Sequence, residues 1–351
     1  MRNPGVQAAL ASAFLFGAST PLAKQLLDGV GPWMLAALLY LGSGLGFTIF
    51  RLVRRSKPVR LARRDLLPLA GAVLFGGIVA PVLLMSGLAG MPASGASLLL
   101  NAEGVATAAL AWFVFKENFD RRIALGMAAI VAGAIVLTWP GDVEFSGVLP
   151  ALAILGACLA WGIDNNLTRQ VALTDATWLA AVKGLVAGPV NLLIALLLGA
   201  RLPELATVGA AMGLGVVSYG LSLVLFIVAL RMVGTARSGA YFSVAPFFGA
   251  ALALALGDPV TIPLLIAGVL MALGVWLHLT ERHEHEHFHA AITHDHWHTH
   301  DDHHLHDHDH DHDHDHDHPI AAGVRHRHVH THDAITHRHE HYPDSHHRHD
   351  H

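Results

Sequence analysis

The sequence predicts an all-α membrane protein: ten transmembrane helices forming two inverted five-helix repeats, followed by a disordered His/Asp-rich tail. Three observations carry this. About 172 of the first 280 residues are apolar, roughly 61%, where a soluble domain has ~45–50%. Ten apolar stretches approach the ~20 residues a bilayer-crossing helix needs. Short motifs recur about 141–145 residues apart. The tail differs from everything before it, since all 29 histidines lie at or after His278. Charge divides at the same place. The first 280 residues hold 17 Lys+Arg and 11 Asp+Glu, and the last 71 hold 5 and 16. A single soluble domain, a fibrous protein and a disulfide-stapled module are excluded. The lone Cys158 has no intrachain partner for a disulfide.

The apolar stretches run over residues 6–26, 33–53, 67–88, 94–115, 123–140, 147–167, 176–199, 207–230, 238–256 and 260–280. A soluble helix carries a polar face on every turn. Ile123–Leu137 has no polar side chain, and Leu221–Leu230 has only Ser222. The first stretch is longer than a signal-peptide core and lacks an Ala-x-Ala cleavage site, so it reads as a retained span. Basic residues collect on one side of this arrangement. Arg51, Arg54, Arg55, Lys57, Arg60, Arg63 and Arg64 follow the second helix, and Lys116, Arg121 and Arg122 follow the fourth. Arg169, Arg231, Arg237 and Arg2 join them, against Arg201 and at most Lys24 opposite. The positive-inside rule then places both termini in the cytoplasm. Glycines such as Gly42, Gly44, Gly46, Gly184 and Gly188 suit close helix packing in lipid. Pro21, Pro81, Pro189 and Pro246 mark mid-span kinks.

The repeat is visible in spacing. Phe16-Gly17 opens a block ending at Lys24, and Trp161-Gly162 opens one ending at Arg169. Glu117 is followed by Gly126 and Gly133 at +9 and +16; Asp258 is followed by Ala267 and Gly274 at the same spacing. Five helices per unit is odd, so the second unit enters the membrane inverted, an arrangement used by many secondary transporters. The predicted domains are 1–140, 147–280 and the tail 281–351.

These residues carry a resemblance. Phe16-Gly17-Ala18-Ser19-Thr20-Pro21-Leu22-Ala23-Lys24, Phe115-Lys116-Glu117 with Gly126 and Gly133, Trp161-Gly162, and Ala245-Pro246 before Gly257-Asp258 resemble the EamA-type drug/metabolite transporter superfamily. The resemblance spans about residues 5–280. It implies ten helices, cytoplasmic termini and transport of small metabolites or drugs across a bacterial inner membrane. One departure is Gly257-Asp258, where the family usually carries Gly-Glu.

Charge inside the bilayer costs at least ~2.5–3.5 kcal/mol and marks cavities or partners. The candidate substrate-binding residues are Glu103, Asp164 and Lys183, with Asn101, Asn165 and Asn191 nearby. Two carboxylates and an ammonium suit a zwitterionic or charged solute. A carboxylate in a low-dielectric cavity also suits proton coupling. Plainer readings stand beside these: a structural Glu103–Lys183 ion pair, Asp164-Asn165-Asn166 at a wet helix end near Arg169, Lys24 snorkelling outward, and asparagines joining helices.

His306, His308, His310, His312, His314, His316 and His318 alternate strictly with aspartates. In an extended chain residues i and i+2 share a side, and imidazole suits Zn, Ni, Co or Cu. Apolar residues are too sparse there to bury a core. A merely solvated or proton-buffering tail is the alternative. No cofactor is required.

The leading function is a secondary transporter of a small metabolite or drug, read as an exporter and compatible with proton coupling. A transporter of a divalent metal or its chelate, with the tail as collector or sensor, is the alternative. A membrane-anchored metal buffer is a third reading. No zinc-protease, nucleophile-elbow or phosphate-loop motif appears, so the chain is not read as an enzyme. Partners are the bilayer and a small molecule, not nucleic acid; a homodimer is compatible with all of this.

Overall fold

The computed structural model describes residues 4–59, 61–115, 121–138, 148–171, 174–233, 235–279, 284–289, 292–298, 326–332 and 335–340. The helices are α1 (Pro4–Leu27), α2 (Pro32–Val53), α3 (Leu66–Ala72), α4 (Ala80–Ala89), α5 (Ala93–Leu99), α6 (Ala102–Phe115) and α7 (Arg121–Thr138), then α8 (Val148–Val171), α9 (Ala176–Leu197), α10 (Leu205–Leu214), α11 (Ser222–Val233), α12 (Thr235–Phe242), α13 (Ala245–Ala255) and α14 (Ile262–Leu279). A π-wound segment, Val73–Val79, joins α3 to α4, and another, Gly215–Leu221, joins α10 to α11. Among the described residues, six helical stretches are long and apolar enough to cross a membrane: Pro4–Leu27, Pro32–Val53, Arg63–Ala89, Val148–Thr168, Ala176–Leu197 and Leu205–Met232. Ala124–Thr138, Ala245–Ala255 and Ile262–Leu277 are apolar but shorter. Large apolar side chains such as Leu149, Leu205, Ile262 and Val269 point outward, as lipid-facing positions do. The chain is a multi-pass membrane protein.

Two expected spans, 94–115 and 238–256, are each a pair of helices. At Leu100–Asn101 the bonding tightens: Leu100 N–H donates to Ser97 O and Asn101 N–H to Leu98 O. The Asn101 side chain competes for that same Leu98 carbonyl at 2.9 Å, and the α-helix stops. At Ser243–Val244 the cause is Pro246. It occupies the first turn of α13, where its missing N–H costs nothing, so it starts a helix rather than kinking one. Pro81 has a related effect. It offers no N–H to the carbonyl of Gly77 at i−4 or of Gly76 at i−5, beside the π segment.

The repeated features lie at matching places. The π segments start 142 residues apart and the breaks 143 apart; α2 and α9, both of 22 residues, start 144 apart. Contacts reciprocate as well. A Cβ added to Gly133 of α7 would meet the Ala267 carbonyl of α14 at 3.1 Å, and one on Gly274 of α14 would meet the Gly126 carbonyl of α7 at 2.6 Å. Gly17 of α1 sits on Ala245 and Gly249 of α13; Gly162 of α8 sits on Ala106 and Thr107 of α6. The Phe-Gly and Trp-Gly motifs thus mark where one half's first helix crosses the other half's broken helix.

The corner between α4 and α5 is gripped from both sides. Lys24 donates to the Leu88 and Ala89 carbonyls at 2.8 and 3.2 Å, at the C-terminus of α4. Asp258 accepts from the Ser94 N–H at 2.7 Å, at the N-terminus of α5. Each charge complements its helix dipole. Lys24 is therefore a helix cap rather than an outward snorkel.

The tail forms a separate unit. A tail without regular structure was the expectation; the structure instead draws β1 (Glu284–His289), β2 (Ile292–His298), β3 (His326–His332) and β4 (Ile335–Glu340). β1 pairs antiparallel with β4, and β2 with β3; the latter register sets His294, His296 and His298 opposite His330, His328 and His326. Alternation of period two, with Ile292, Thr293, Thr331, Ile335 and Thr336, is a strand pattern. The predicted metal ligands His306, His308, His310, His312, His314, His316 and His318 lie outside the described residues.

Candidate functional site

The buried charges of the helical unit meet around the first π segment. Lys183 on α9 donates to both carboxylate oxygens of Asp164 on α8, each at 2.7 Å. Both residues are 6% exposed. Thr168, one turn along α8, donates to Asp164 at 2.8 Å. Gly76 closes the other side, since a Cβ there would collide with the Asp164 carboxylate. The pairing anticipated between Glu103 and Lys183 is thus replaced by Asp164–Lys183. Geometry explains the choice: α8 and α9 are consecutive, and the ammonium reaches both oxygens at once. Asp164 and Asn166 are buried, so the polar triplet is not a wet helix end.

The π winding leaves carbonyls to be satisfied. The Gly76 carbonyl accepts from the Tyr40 hydroxyl at 2.5 Å and from the Trp161 indole N–H at 3.2 Å. The Gly77 carbonyl accepts from the Asn191 side chain at 3.0 Å. Asn191, expected in the binding cavity, instead helps hold the π turn. Asn101 is also buried, donating to Leu98 O and toward the Met271 sulfur. Among the described residues, its Oδ1, the Asn191 Oδ1 and the Ser97 hydroxyl are buried without a hydrogen-bond partner, and the Tyr219 hydroxyl is buried beside that of Ser19.

Glu103 stands apart. It lies in the first turn of α6, directly after the helix break. Among the described residues no cation comes within ion-pairing distance of it. Asn165 on α8 donates to its carboxylate at 2.9 Å and to the Thr107 hydroxyl at 3.2 Å. The residue as a whole is half-buried. Trp161, one turn before Asn165, meets Phe16 edge-on at 5.8 Å, and Phe16 lies 6.0 Å from Tyr219, which is 5.4 Å from Tyr40. Tyr40, Gly76, Thr107, Thr168 and Tyr219 were not singled out from sequence. The one available signal was Gly76-Gly77 four residues before Pro81 inside a span. Among the described residues, no three His, Cys, Asp or Glu side chains gather as a metal would need.

The EamA-like transporter family model matches residues 3–139 and again 148–280. The chain belongs to the EamA-like transporter family. This EamA-like chain is 30% identical over 290 residues to an uncharacterized transporter of Methanothermobacter thermautotrophicus, covering 76% of this chain and 84% of that one. It is 22% identical over 193 residues to the uncharacterized transporter YyaM of Bacillus subtilis, covering 52% and 63%. A shorter match, 34% over 86 residues, is to a probable amino-acid metabolite efflux pump of Salmonella typhimurium, covering 23% and 28%. One solved crystal structure superposes with a TM-score of 0.60 over 79% of this chain and 96% of its own, at 19% identity, and shows the fold alone. The EamA-like chain is a membrane transporter that sits in a bilayer and binds a small molecule.

Proposed function

We propose that this EamA-like protein is a proton-coupled exporter of a small metabolite, working by alternating access with Glu103 as the coupling and binding carboxylate. The observation that supports it most is that, among the described residues, no cation pairs with Glu103 beside a helix break, while Asp164 and Lys183 neutralise each other. A half-helix N-terminus stabilises a carboxylate there. A group that gains and loses a proton needs a partner that tolerates both states, and an amide does. In this reading α5–α6 and α12–α13 each cross as one interrupted span, giving ten crossings in two inverted repeats over 1–140 and 147–280. Both termini then lie in the cytoplasm of a bacterial inner (plasma) membrane. Asn165 positions Glu103, while Asn101, Asn191, Asp164 and Lys183 shape the walls. The Salmonella relative's printed name suggests amino-acid metabolites as a first screen.

The test is flux of pooled radiolabelled amino-acid metabolites in proteoliposomes with an imposed pH gradient. Gradient-driven flux is expected in the wild type, and Glu103→Gln should remove the gradient dependence. Wild-type flux indifferent to the gradient at every pH would overturn the reading.

The density of tail histidines favours an added role. We propose that residues 281–351 hold several divalent ions of Zn, Ni, Co or Cu. Metal and proton compete for imidazole nitrogen, so binding weakens below about pH 6.5. Calorimetric titration with Zn²⁺ and Ni²⁺ of the full chain and of a chain ending at residue 280 checks this. Equal heats from the two chains would refute it. If metal were instead the cargo, Zn²⁺ flux in the same vesicles should exceed that of every metabolite.

A further inference from the structure

We propose that the cargo carries a cationic amine, which Glu103 binds as its counter-ion with the Phe16, Trp161 and Tyr219 rings forming the adjoining wall. This rests on the reading of Glu103 as the binding carboxylate and names the chemistry that it selects.

The argument begins with what the internal repeat leaves unmatched. Aligned by the helix breaks, Glu103 corresponds to Pro246. Aligned by the Phe-Gly and Trp-Gly motifs, Asp164 corresponds to Ser19. Lys183 is the eighth residue of α9, and the eighth of α2 is Leu39. A two-fold packing of ten helices requires none of these charges, so they answer to something besides the fold. Asp164 and Lys183 answer to each other, through a two-oxygen contact at 2.7 Å. Among the described residues the Glu103 charge is left without a counter-charge, and Asn165 directs it without neutralising it.

Taken alone, the N-terminus of α6 would attract an anion. Glu103 already occupies that first turn, which reverses the preference. A charge within a membrane-crossing segment calls for an opposite one, and the described residues supply none at Glu103. The remaining neighbours fit an ammonium. Trp161 lies on the same face of α8 as Asn165, one turn away. Phe16 and Trp161, the aromatic residues of the two repeat motifs, meet at 5.8 Å, with Tyr219 6.0 Å from Phe16. Ring faces attract cations, most strongly where water is excluded. The Tyr219 hydroxyl is buried beside that of Ser19, which donates its own proton to the Phe16 carbonyl at 2.6 Å, so the Tyr219 oxygen offers an acceptor for an N⁺–H.

The experiment uses full-length protein in nanodiscs and three probes that share one ring system: tryptamine (cationic), tryptophol (neutral) and indole-3-acetate (anionic). Wild type is expected to bind tryptamine at least about tenfold more tightly than either analogue. Glu103→Gln should erase that preference, Glu103→Asp should keep it, and Tyr219→Phe should weaken tryptamine alone. Equal binding of the three probes by the wild type overturns the proposal with no variant needed, as does a preference that survives Glu103→Gln. Gradient-driven flux of the metabolite pool without charge selectivity would sink only this inference. Absence of any gradient-driven flux, with tryptamine binding intact, would sink only the proton-coupled reading.

Discussion

Asp164 and Lys183 show how a buried pair behaves when its partners are fixed. Each is nearly inaccessible to solvent, and Thr168 and Gly76 complete the enclosure. Removing one charge strands the other, at a cost of about 3–5 kcal/mol, whereas removing both is far milder. Asp164→Asn and Lys183→Met should each lower the melting temperature in detergent, and the double variant should recover most of the loss. Additive losses would show that the two do not act as a pair. Gly76→Ala should be as damaging as either single change, because its Cβ has only the carboxylate to displace. At the helix end, Asp175 caps α9 by accepting from the Thr177 and Trp178 N–H groups at 2.9 and 3.0 Å, and it pairs with Arg51 at 2.8 Å. Burial pushes its carboxyl up, but bonds from Thr177 and Trp178 and the Arg51 charge outweigh this and hold it below its usual value. A depressed folded-state pKa contributes stability that is present above the unfolded value, ~3.9, and is lost as pH falls through the folded value. Asp175→Ala should therefore flatten the acid limb of a stability–pH profile below about pH 4 while costing roughly 1 kcal/mol at neutrality. An unchanged acid limb would assign that limb to other carboxylates.

At the scale of the element, helix ends decide where the chain turns. α2 stops with Arg55 at φ +49°, the left-handed region where glycine is usual. Ser56 N–H returns to the Arg51 carbonyl at 3.0 Å to close the turn. Arg55→Gly should stabilise the protein by up to ~1 kcal/mol, measured as a higher unfolding midpoint; a lower midpoint would mean that the Arg55 side chain contributes more than its backbone costs. The α4–α5 corner depends on charges from elsewhere in the chain. Asp258→Ala removes the acceptor for Ser94 N–H and should cost ~1 kcal/mol, with faster amide hydrogen exchange at residues 93–96. Exchange unchanged there would rule out Asp258 as the cap. An aspartate meets this need as a glutamate would, which accounts for Gly257-Asp258 without loss of the contact.

At the scale of the molecule, helix placement was legible because lipid leaves the chain little choice. A span must satisfy its backbone internally and stay apolar for about twenty residues, and both demands are written locally. The +16 spacing was legible from packing: Gly133 and Gly274 lack side chains because the Ala267 carbonyl of α14 and the Gly126 carbonyl of α7 lie against them. The alternation of the tail was visible too, but counting its apolar residues hid the strand pattern of Glu284–His289, Ile292–His298, His326–His332 and Ile335–Glu340. Sequence alone thus determined the membrane class, the repeat, the family and the short roll of buried charges. Only the tertiary structure decided which charge met which. Order along the chain did not say how Glu103, Asp164 and Lys183 pair, and the polar triplet Asp164-Asn165-Asn166 read equally well as a wet helix end. Ion pairing depends on a few ångströms between side chains on different helices, and those distances follow from α8 crossing α6 at Gly162, α9 packing on α2 at Gly184 and Gly188, and Asp164 lying against Gly76 in the π turn beside Pro81. That crossing closed Asp164 onto Lys183 and left the Glu103 carboxylate to an amide, because packing through space, rather than order along the chain, sets which buried charges are neutralised.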